Sequence, residues 1–315
     1  MATRTTGYIL GGCAAASYGM NPLFALPLYA EGLSPDTVLF FRYFFAIPLL
    51  GIMLKARGRS FRIGKRDIIP LAVMGLLVAL SSLTLFESYN YMNVGIASTL
   101  LFIYPILVAL IMTAVFKERF TIQTAVCLAG ASAGIAMLCI GEGGVVISIT
   151  GTGLVFLSSL SYAIYMVGVN HSRLKNIATL KVTFYVLLFG LSLFIVRLYA
   201  GSGLHVPPLA KWQVWANFIA LAIFPTAISF LCTTAAVKYI GSTPTAILGA
   251  LEPVTAVFIG IAVFGESVTI RECIGFILVI TSVSIVVAGG KITRYIMGIR
   301  KLFPRLPADR HKQGR

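Results

Sequence analysis

Glu252 is an ionisable residue near the middle of an apolar stretch, residues 239–269, and Pro253 follows it directly. A carboxyl group at that depth in a membrane costs about 2.5–3.5 kcal/mol on insertion scales. The proline removes a helical hydrogen bond and frees carbonyl groups in the preceding turn. Because neither residue favours an undisturbed membrane helix, the pair indicates a functional role, in which Glu252 contacts a substrate or relays protons. The alternative is structural: Glu252 bonds to a neighbouring helix and stabilises the broken turn.

Arg42 and Glu87 form a second candidate pair, since both fall in apolar stretches near the same predicted outer end. A guanidinium group can bind a carboxylate through two parallel hydrogen bonds, and a carboxylate can bind an ammonium group. Together the two residues could hold a zwitterionic molecule such as an amino acid. The competing interpretation is an ion pair between Arg42 and Glu87 that only neutralises two buried charges.

Further polar side chains extend the candidate binding site. Asn21 stands directly before Pro22, which interrupts the first apolar stretch, and Asn90 thickens the polar end of the third. Tyr162 and Tyr165 recur at helical spacing in the sixth. Interrupted helices with polar side chains at corresponding positions are typical of the binding sites of membrane transporters. Aromatic packing between helices would explain the two tyrosines nearly as well.

The chain shows no motif for catalysis, metal binding or a cofactor. Its five cysteines lie in apolar runs without a C-x-x-C pair, and its three histidines are far apart. The patterns G-x-S-x-G and H-E-x-x-H, a phosphate-binding loop and an aspartate pair for intramembrane proteolysis are all missing. We therefore expect no enzymatic activity, no metal and no cofactor.

The composition is that of a protein embedded in a membrane. Hydrophobic residues make up 58% of the chain and charged residues only 11%, against roughly 25% charged residues in a soluble domain. The net charge of +15 could suggest a nucleic-acid partner. The basic residues, however, cluster in short loops and in the tail, so membrane topology explains them better.

The positions of the basic residues predict an orientation. The loop 55–67 carries six Lys and Arg residues against one Asp. If this loop is cytoplasmic, both termini are cytoplasmic too, and 21 of the 25 basic residues lie on that side. We expect a multi-pass protein of the plasma membrane, the inner membrane of a bacterium. Apolar runs of sufficient length predict ten transmembrane helices, at 7–30, 36–54, 68–90, 94–115, 122–141, 152–169, 177–199, 213–236, 242–264 and 273–290.

The chain contains an internal duplication. Residues 91–121 align without a gap to residues 239–269 at an offset of 148, which places Pro105 opposite Pro253. A second match, at an offset of 144, places Ser17-Tyr18 opposite Ser161-Tyr162. Each half, about 7–141 and about 151–290, holds five predicted spans, and an odd number inverts the second half in the membrane. The prediction is an all-α polytopic membrane protein whose ten transmembrane helices form two inverted five-helix repeats.

One membrane domain, residues 1–290, accounts for both halves, and a basic tail at 291–315 is expected in the cytoplasm. The tetrapeptide Leu251-Glu252-Pro253-Val254, the closing Gly265-Glu266 and the earlier Tyr104-Pro105 resemble the EamA-like family of the drug/metabolite transporter superfamily. The resemblance covers residues 7 to about 290. It implies alternating access around a central cavity and, for most members, export of small metabolites, amino acids prominent among them.

The resulting hypothesis is a secondary transporter that exports small polar metabolites such as amino acids across the bilayer. We expect Asn21, Arg42, Glu87, Asn90, Tyr162, Tyr165 and Glu252 to bind the substrate, and Pro22, Pro105 and Pro253 to break helices for gating. Proton coupling through Glu252 is a further expectation. One alternative is a sugar-phosphate or nucleotide-sugar carrier of the same superfamily. Such substrates would favour several Lys or Arg residues within the membrane, and this chain has one clear candidate, Arg42. Another is a membrane scaffold or sensor that transports nothing.

Overall fold

The computed structural model describes the chain in seven stretches, at residues 2–92, 97, 100–139, 148–201, 203–264, 270–271 and 273–286. Within these stretches the secondary structure is helical and contains no β-strand. The basic tail predicted at 291–315 lies outside the described residues.

The first repeat contributes α1 (Ala2–Gly19), α2 (Asn21–Ala30), α3 (Pro35–Ala56), α4 (Lys65–Ser88), α5 (Tyr104–Ala114) and α6 (Ile122–Cys139). The second repeat contributes α7 (Ile149–His171), α8 (Thr179–Ala200), α9 (Trp212–Ala222), α10 (Ser229–Ile240), α11 (Ser242–Leu248), α12 (Leu251–Phe264) and α13 (Cys273–Val286). A π-turn, Ile223–Ile228, joins α9 to α10.

Six of the described helical segments are long and apolar enough to cross a membrane, namely Arg4–Ala30, Pro35–Ala56, Lys65–Ser88, Ile149–His171, Thr179–Ala200 and Trp212–Ile240. Each corresponds to one of the predicted spans, so the all-helical polytopic class is confirmed. The other four predicted spans contain the shorter helices α5, α6, α11 with α12, and α13. The total of ten spans stays a prediction.

Three helices begin next to prolines that the sequence singled out. Pro22 and Pro105 occupy the first turns of α2 and α5, where a missing N–H costs nothing. Pro253 lies in the first turn of α12, after a two-residue break at Gly249 and Ala250. The same span is therefore broken in both repeats, just before α5 and just before α12.

The two repeats pack against each other along most of their length. Helix α1 packs on α10 and α12, while α4 packs between α7 and α8. A Cβ atom on Gly75 of α4 would lie 2.6 Å from the carbonyl oxygen of Val186 on α8, so these backbones almost touch. Because lipid is as apolar as the side chains, such close van der Waals packing is what holds membrane helices together.

Candidate functional site

A narrow cavity lies between α1, α7, α10 and the broken spans. Both repeats contribute to its wall. The polar side chains on its lining are Tyr18, Tyr104, Tyr162, Ser229, Thr233, Thr245 and Glu252. Tyr18 and Tyr162 are the counterparts matched by the internal duplication, so the repeats present the same residue type to one cavity.

The two broken spans meet at this cavity. The hydroxyl of Tyr104, the first residue of α5, donates a hydrogen bond to the carbonyl oxygen of Ala246 at 3.2 Å. A Cβ atom built on Gly249 would lie 1.5 Å from the Tyr104 oxygen, so only glycine fits there. The ring of Tyr104 also packs edge-on against Tyr162, with ring centroids 5.1 Å apart. The break in one repeat is therefore seated on the break in the other.

Glu252 lies on the cavity wall and is half-buried. Its backbone N–H donates to the carbonyl oxygen of Gly249 at 2.9 Å, which closes the turn before α12. The opposite helix comes very close, because a Cβ atom on Gly19 would lie 2.4 Å from the Glu252 carbonyl oxygen. The carboxyl group interacts electrostatically with Arg42 and Tyr18. It forms no ion pair with any side chain in the described part of the chain.

Arg42 of α3 is fully buried next to the cavity, behind Tyr18. Its guanidinium carbon lies 5.4 Å from the ring centroid of Tyr18 and 5.9 Å from that of Phe86, so both rings offer cation–π contact. Nε donates to the hydroxyl of Thr226 at 2.6 Å, and Nη2 donates to the carbonyl oxygen of Pro225 at 3.1 Å. Nη1 has no hydrogen-bond partner among the described residues.

The partners of Arg42 belong to the π-turn between α9 and α10. Pro225 has no N–H to continue the α-helical bonding pattern, and π-turns of this kind are frequent at functional sites. Ser17 of α1 donates to the carbonyl oxygen of Phe224 in the same turn at 2.5 Å. The π-turn thus gathers polar groups from α1 and α3 in an otherwise apolar region.

Two more buried oxygen atoms near Arg42 lack a partner in the described structure, Oδ1 of Asn21 and the hydroxyl of Tyr29. Tyr18 interacts with both Asn21 and Arg42, and Tyr29 interacts with Arg42. A buried polar group without a partner costs about 1–3 kcal/mol, and more if it is charged. A molecule that supplied an acceptor to Arg42 and a donor to Asn21 would therefore be stabilised here.

Glu87 is placed elsewhere, at the end of α4. Its carboxylate accepts from Nη2 of Arg197 at 3.3 Å and from the amide of Asn90 at 3.2 Å. Arg197 also pairs with Asp36 at 3.3 Å. The interpretation that Arg42 and Glu87 form an ion pair with each other is therefore wrong. Glu87 pairs with Arg197, and Arg42 bonds to Thr226 and Pro225.

The remaining predicted residues occupy different places. Tyr165 is buried beside the cavity, where its hydroxyl shares a hydrogen bond with Thr234 at 3.2 Å. Asn90 is exposed. Sequence reasoning missed Tyr18 and Thr226. The offset of 144 pointed to Tyr18 as the counterpart of Tyr162, and Pro225-Thr226 inside an apolar span was a signal of the same kind as Asn21-Pro22.

No cluster of three or more potential metal ligands occurs in the described ranges. The site is instead a set of tyrosines and hydroxyls around one acid, with one buried guanidinium behind Tyr18. Such a set can bind a small polar molecule through charge and hydrogen bonds. It holds no nucleophile activated by a neighbouring base in the described structure.

Comparison with known proteins matches the chain to a family. The model of the EamA-like transporter family matches the chain twice, at residues 5–140 and 149–288. An uncharacterized transporter of Archaeoglobus fulgidus is 28% identical over 263 residues, 82% of this chain and 89% of that protein. The uncharacterized transporter YcbK of Bacillus subtilis is 25% identical over 257 residues, 78% of this chain and 81% of its own. A crystal structure at 17% identity shares the fold, with a TM-score of 0.78 over 89% of this chain and 96% of the other.

Proposed function

The chain belongs to the EamA-like transporter family, and we propose that it is a secondary transporter that exports small zwitterionic metabolites, amino acids foremost. The two repeats alternate in opening the cavity to either side of the membrane, hinged at the paired helix breaks. Both termini face the cytoplasm, as the distribution of basic residues indicates.

The observation that carries the proposal is the pairing of an unpartnered donor with an unpartnered acceptor beside Tyr18. Nη1 of Arg42 can donate to a carboxylate, and Oδ1 of Asn21 can accept from an ammonium group. Glu252, on the cavity wall, supplies a negative charge for the same ammonium. An α-amino acid carries both groups on one carbon atom, so one small molecule complements all three side chains.

The charge balance of the site favours a zwitterion over a phosphate ester. Arg42 and Glu252 together bring one positive and one negative charge into electrostatic contact. A dianionic sugar phosphate would meet the Glu252 carboxylate without a second cation to offset it, and like charges at close range repel. Transport of a sugar phosphate is therefore less well supported than transport of an amino acid.

The test is counterflow in proteoliposomes that contain the purified protein. Vesicles preloaded with a mixture of the twenty common L-amino acids should take up radiolabelled amino acid. L-leucine should compete better than 3-methylbutylamine, which lacks the carboxylate, and better than 4-methylpentanoate, which lacks the ammonium group. Uptake driven only by a sugar phosphate would overturn the substrate class, and no flux with any of these compounds would favour the scaffold or sensor.

A further inference from the structure

We infer that Thr226 is a positioning residue for Arg42: it fixes the guanidinium on the π-turn so that the Nη1 edge stays free for the anionic group of a ligand. The inference deepens the proposed function, since it rests on Arg42 as the residue that binds the anion. It assigns a specific task to a hydroxyl group that does not line the cavity.

The hydrogen bonds of Thr226 make its hydroxyl a directed acceptor. Its Oγ1 donates its single proton to the carbonyl oxygen of Leu221 at 2.8 Å. A hydroxyl group has one proton and two lone pairs, so a committed proton leaves only lone pairs for Arg42. Nε of Arg42 meets that oxygen at 2.6 Å. Thr226 is fully buried, and its branched side chain has few rotamers, so this arrangement has little freedom.

Two contacts fix the plane of the guanidinium group. Nε is held by Thr226, and Nη2 is held by the carbonyl oxygen of Pro225, the preceding residue of the same turn. A planar fork that is held at two of its three nitrogen atoms cannot rotate about its long axis. The third nitrogen, Nη1, is then presented in one direction, and it is the one without a partner among the described residues.

The related interface on the other side of the molecule shows that this arrangement is not needed for packing. The internal duplication relates α3 to α8 and the α9–α10 span to α4. There the contact is made by glycines, because a Cβ atom on Gly190 would lie 3.0 Å from the carbonyl oxygen of Gly75. Helices at this position of the fold can pack directly through small residues. The buried arginine and the π-turn thus occur at one of the two related interfaces and not at the other. This difference indicates a function beyond the packing of these helices.

The experiment uses the purified full-length protein and two probes, acetate as a bare carboxylate and L-leucine as a zwitterion. The apparent dissociation constant of each is obtained from thermal stabilisation for the wild type, Thr226→Val and Thr226→Ser. Loss of a hydrogen bond to a charged group should weaken acetate by about tenfold in Thr226→Val. Thr226→Ser keeps the hydroxyl and should stay within about twofold of the wild type. Thr84→Val is the matched control, because its buried hydroxyl bonds only to carbonyls of α4.

Each outcome decides something. Weaker acetate binding in Thr226→Val with rescue in Thr226→Ser supports the inference, whichever way L-leucine behaves. If the wild type binds acetate but no zwitterion, the proposed substrate class fails while the inference stands. Equal acetate binding in the wild type and Thr226→Val, or no acetate binding by the wild type at all, overturns the inference. If Thr226→Val does not fold, Thr226→Ala, which also removes the hydroxyl group, serves in its place with the same criterion.

Discussion

Arg197 of α8 bridges two carboxylates of the first repeat, with one contact of 3.3 Å to Glu87 and one of 3.3 Å to Asp36. Lys211 of the second repeat likewise pairs with Glu31 of the first, at 2.5 Å. Every ion pair between side chains of the described residues therefore joins an acid of the first repeat to a base of the second. These contacts tie the ends of the two halves together.

Glu87→Gln is expected to leave amine recognition unchanged, because Glu87 is already paired with Arg197 in the structure. The side chains of this pair are 34% and 43% exposed, so the pair contributes only about 0.2–1 kcal/mol to stability. A modest fall in the unfolding temperature is expected, with Asp36 still holding Arg197. The competition assay with 3-methylbutylamine checks this. Selective weakening of amine-bearing compounds would restore Glu87 to the binding site.

Arg42→Met is expected to abolish transport while the protein stays as stable as the wild type or becomes more stable. The guanidinium is fully buried and forms no ion pair with a side chain of the described residues, so removing it also removes a desolvation penalty. Thermal unfolding and counterflow measured on the same preparation separate the two effects. A variant that folds and still carries out counterflow would exclude Arg42 as the anion-binding residue.

The features that follow from local residue patterns could be predicted from the sequence. The apolar spans and the helix starts beside Pro22, Pro105 and Pro253 depend on neighbours close in the chain, and the duplication is found by aligning the chain with itself. The partner of Arg42 could not be predicted, because Thr226 is 184 positions away and meets it only once α3 packs on the π-turn. For the same reason the sequence could not indicate that Glu87 pairs with Arg197, a residue of another helix, and not with Arg42. The sequence shows which side chains are charged, but which side chain each one contacts depends on how the helices pack.

Gly249→Ala is expected to destabilise the protein by about 1–3 kcal/mol or to prevent its folding, because the added methyl group overlaps the Tyr104 hydroxyl. Thermal unfolding in detergent measures the loss. Gly153→Ala is the matched control, since a Cβ atom there meets nothing within 4 Å and alanine is the better helix former. Equal stability of the two variants would contradict the close seating of the two helix breaks.

Glu252→Gln is expected to keep the fold but to remove the pH dependence of transport. The change replaces a titratable carboxyl group with an amide of nearly the same shape, and intramembrane acids of this kind commonly relay protons. Among the described residues, the other charged or titratable side chains that interact with Glu252 are Arg42, Tyr18, Tyr104 and Tyr162. Arginine and tyrosine keep their protons near neutral pH, so Glu252 is the group in this set that can exchange one.

Counterflow and net efflux across a range of external pH distinguish the roles of Glu252. Proton coupling requires that net efflux driven by a pH gradient is lost in Glu252→Gln. Counterflow needs no net proton movement and should continue at saturating substrate, although with weaker substrate affinity because the charge for the ammonium group is lost. A pH-sensitive dye inside the vesicles should report substrate-driven proton movement for the wild type only. Tyr162→Phe is the control, because it changes the same cavity wall without removing an acid. Unchanged pH dependence in Glu252→Gln, with normal folding, would leave Glu252 as the residue that stabilises the turn before α12.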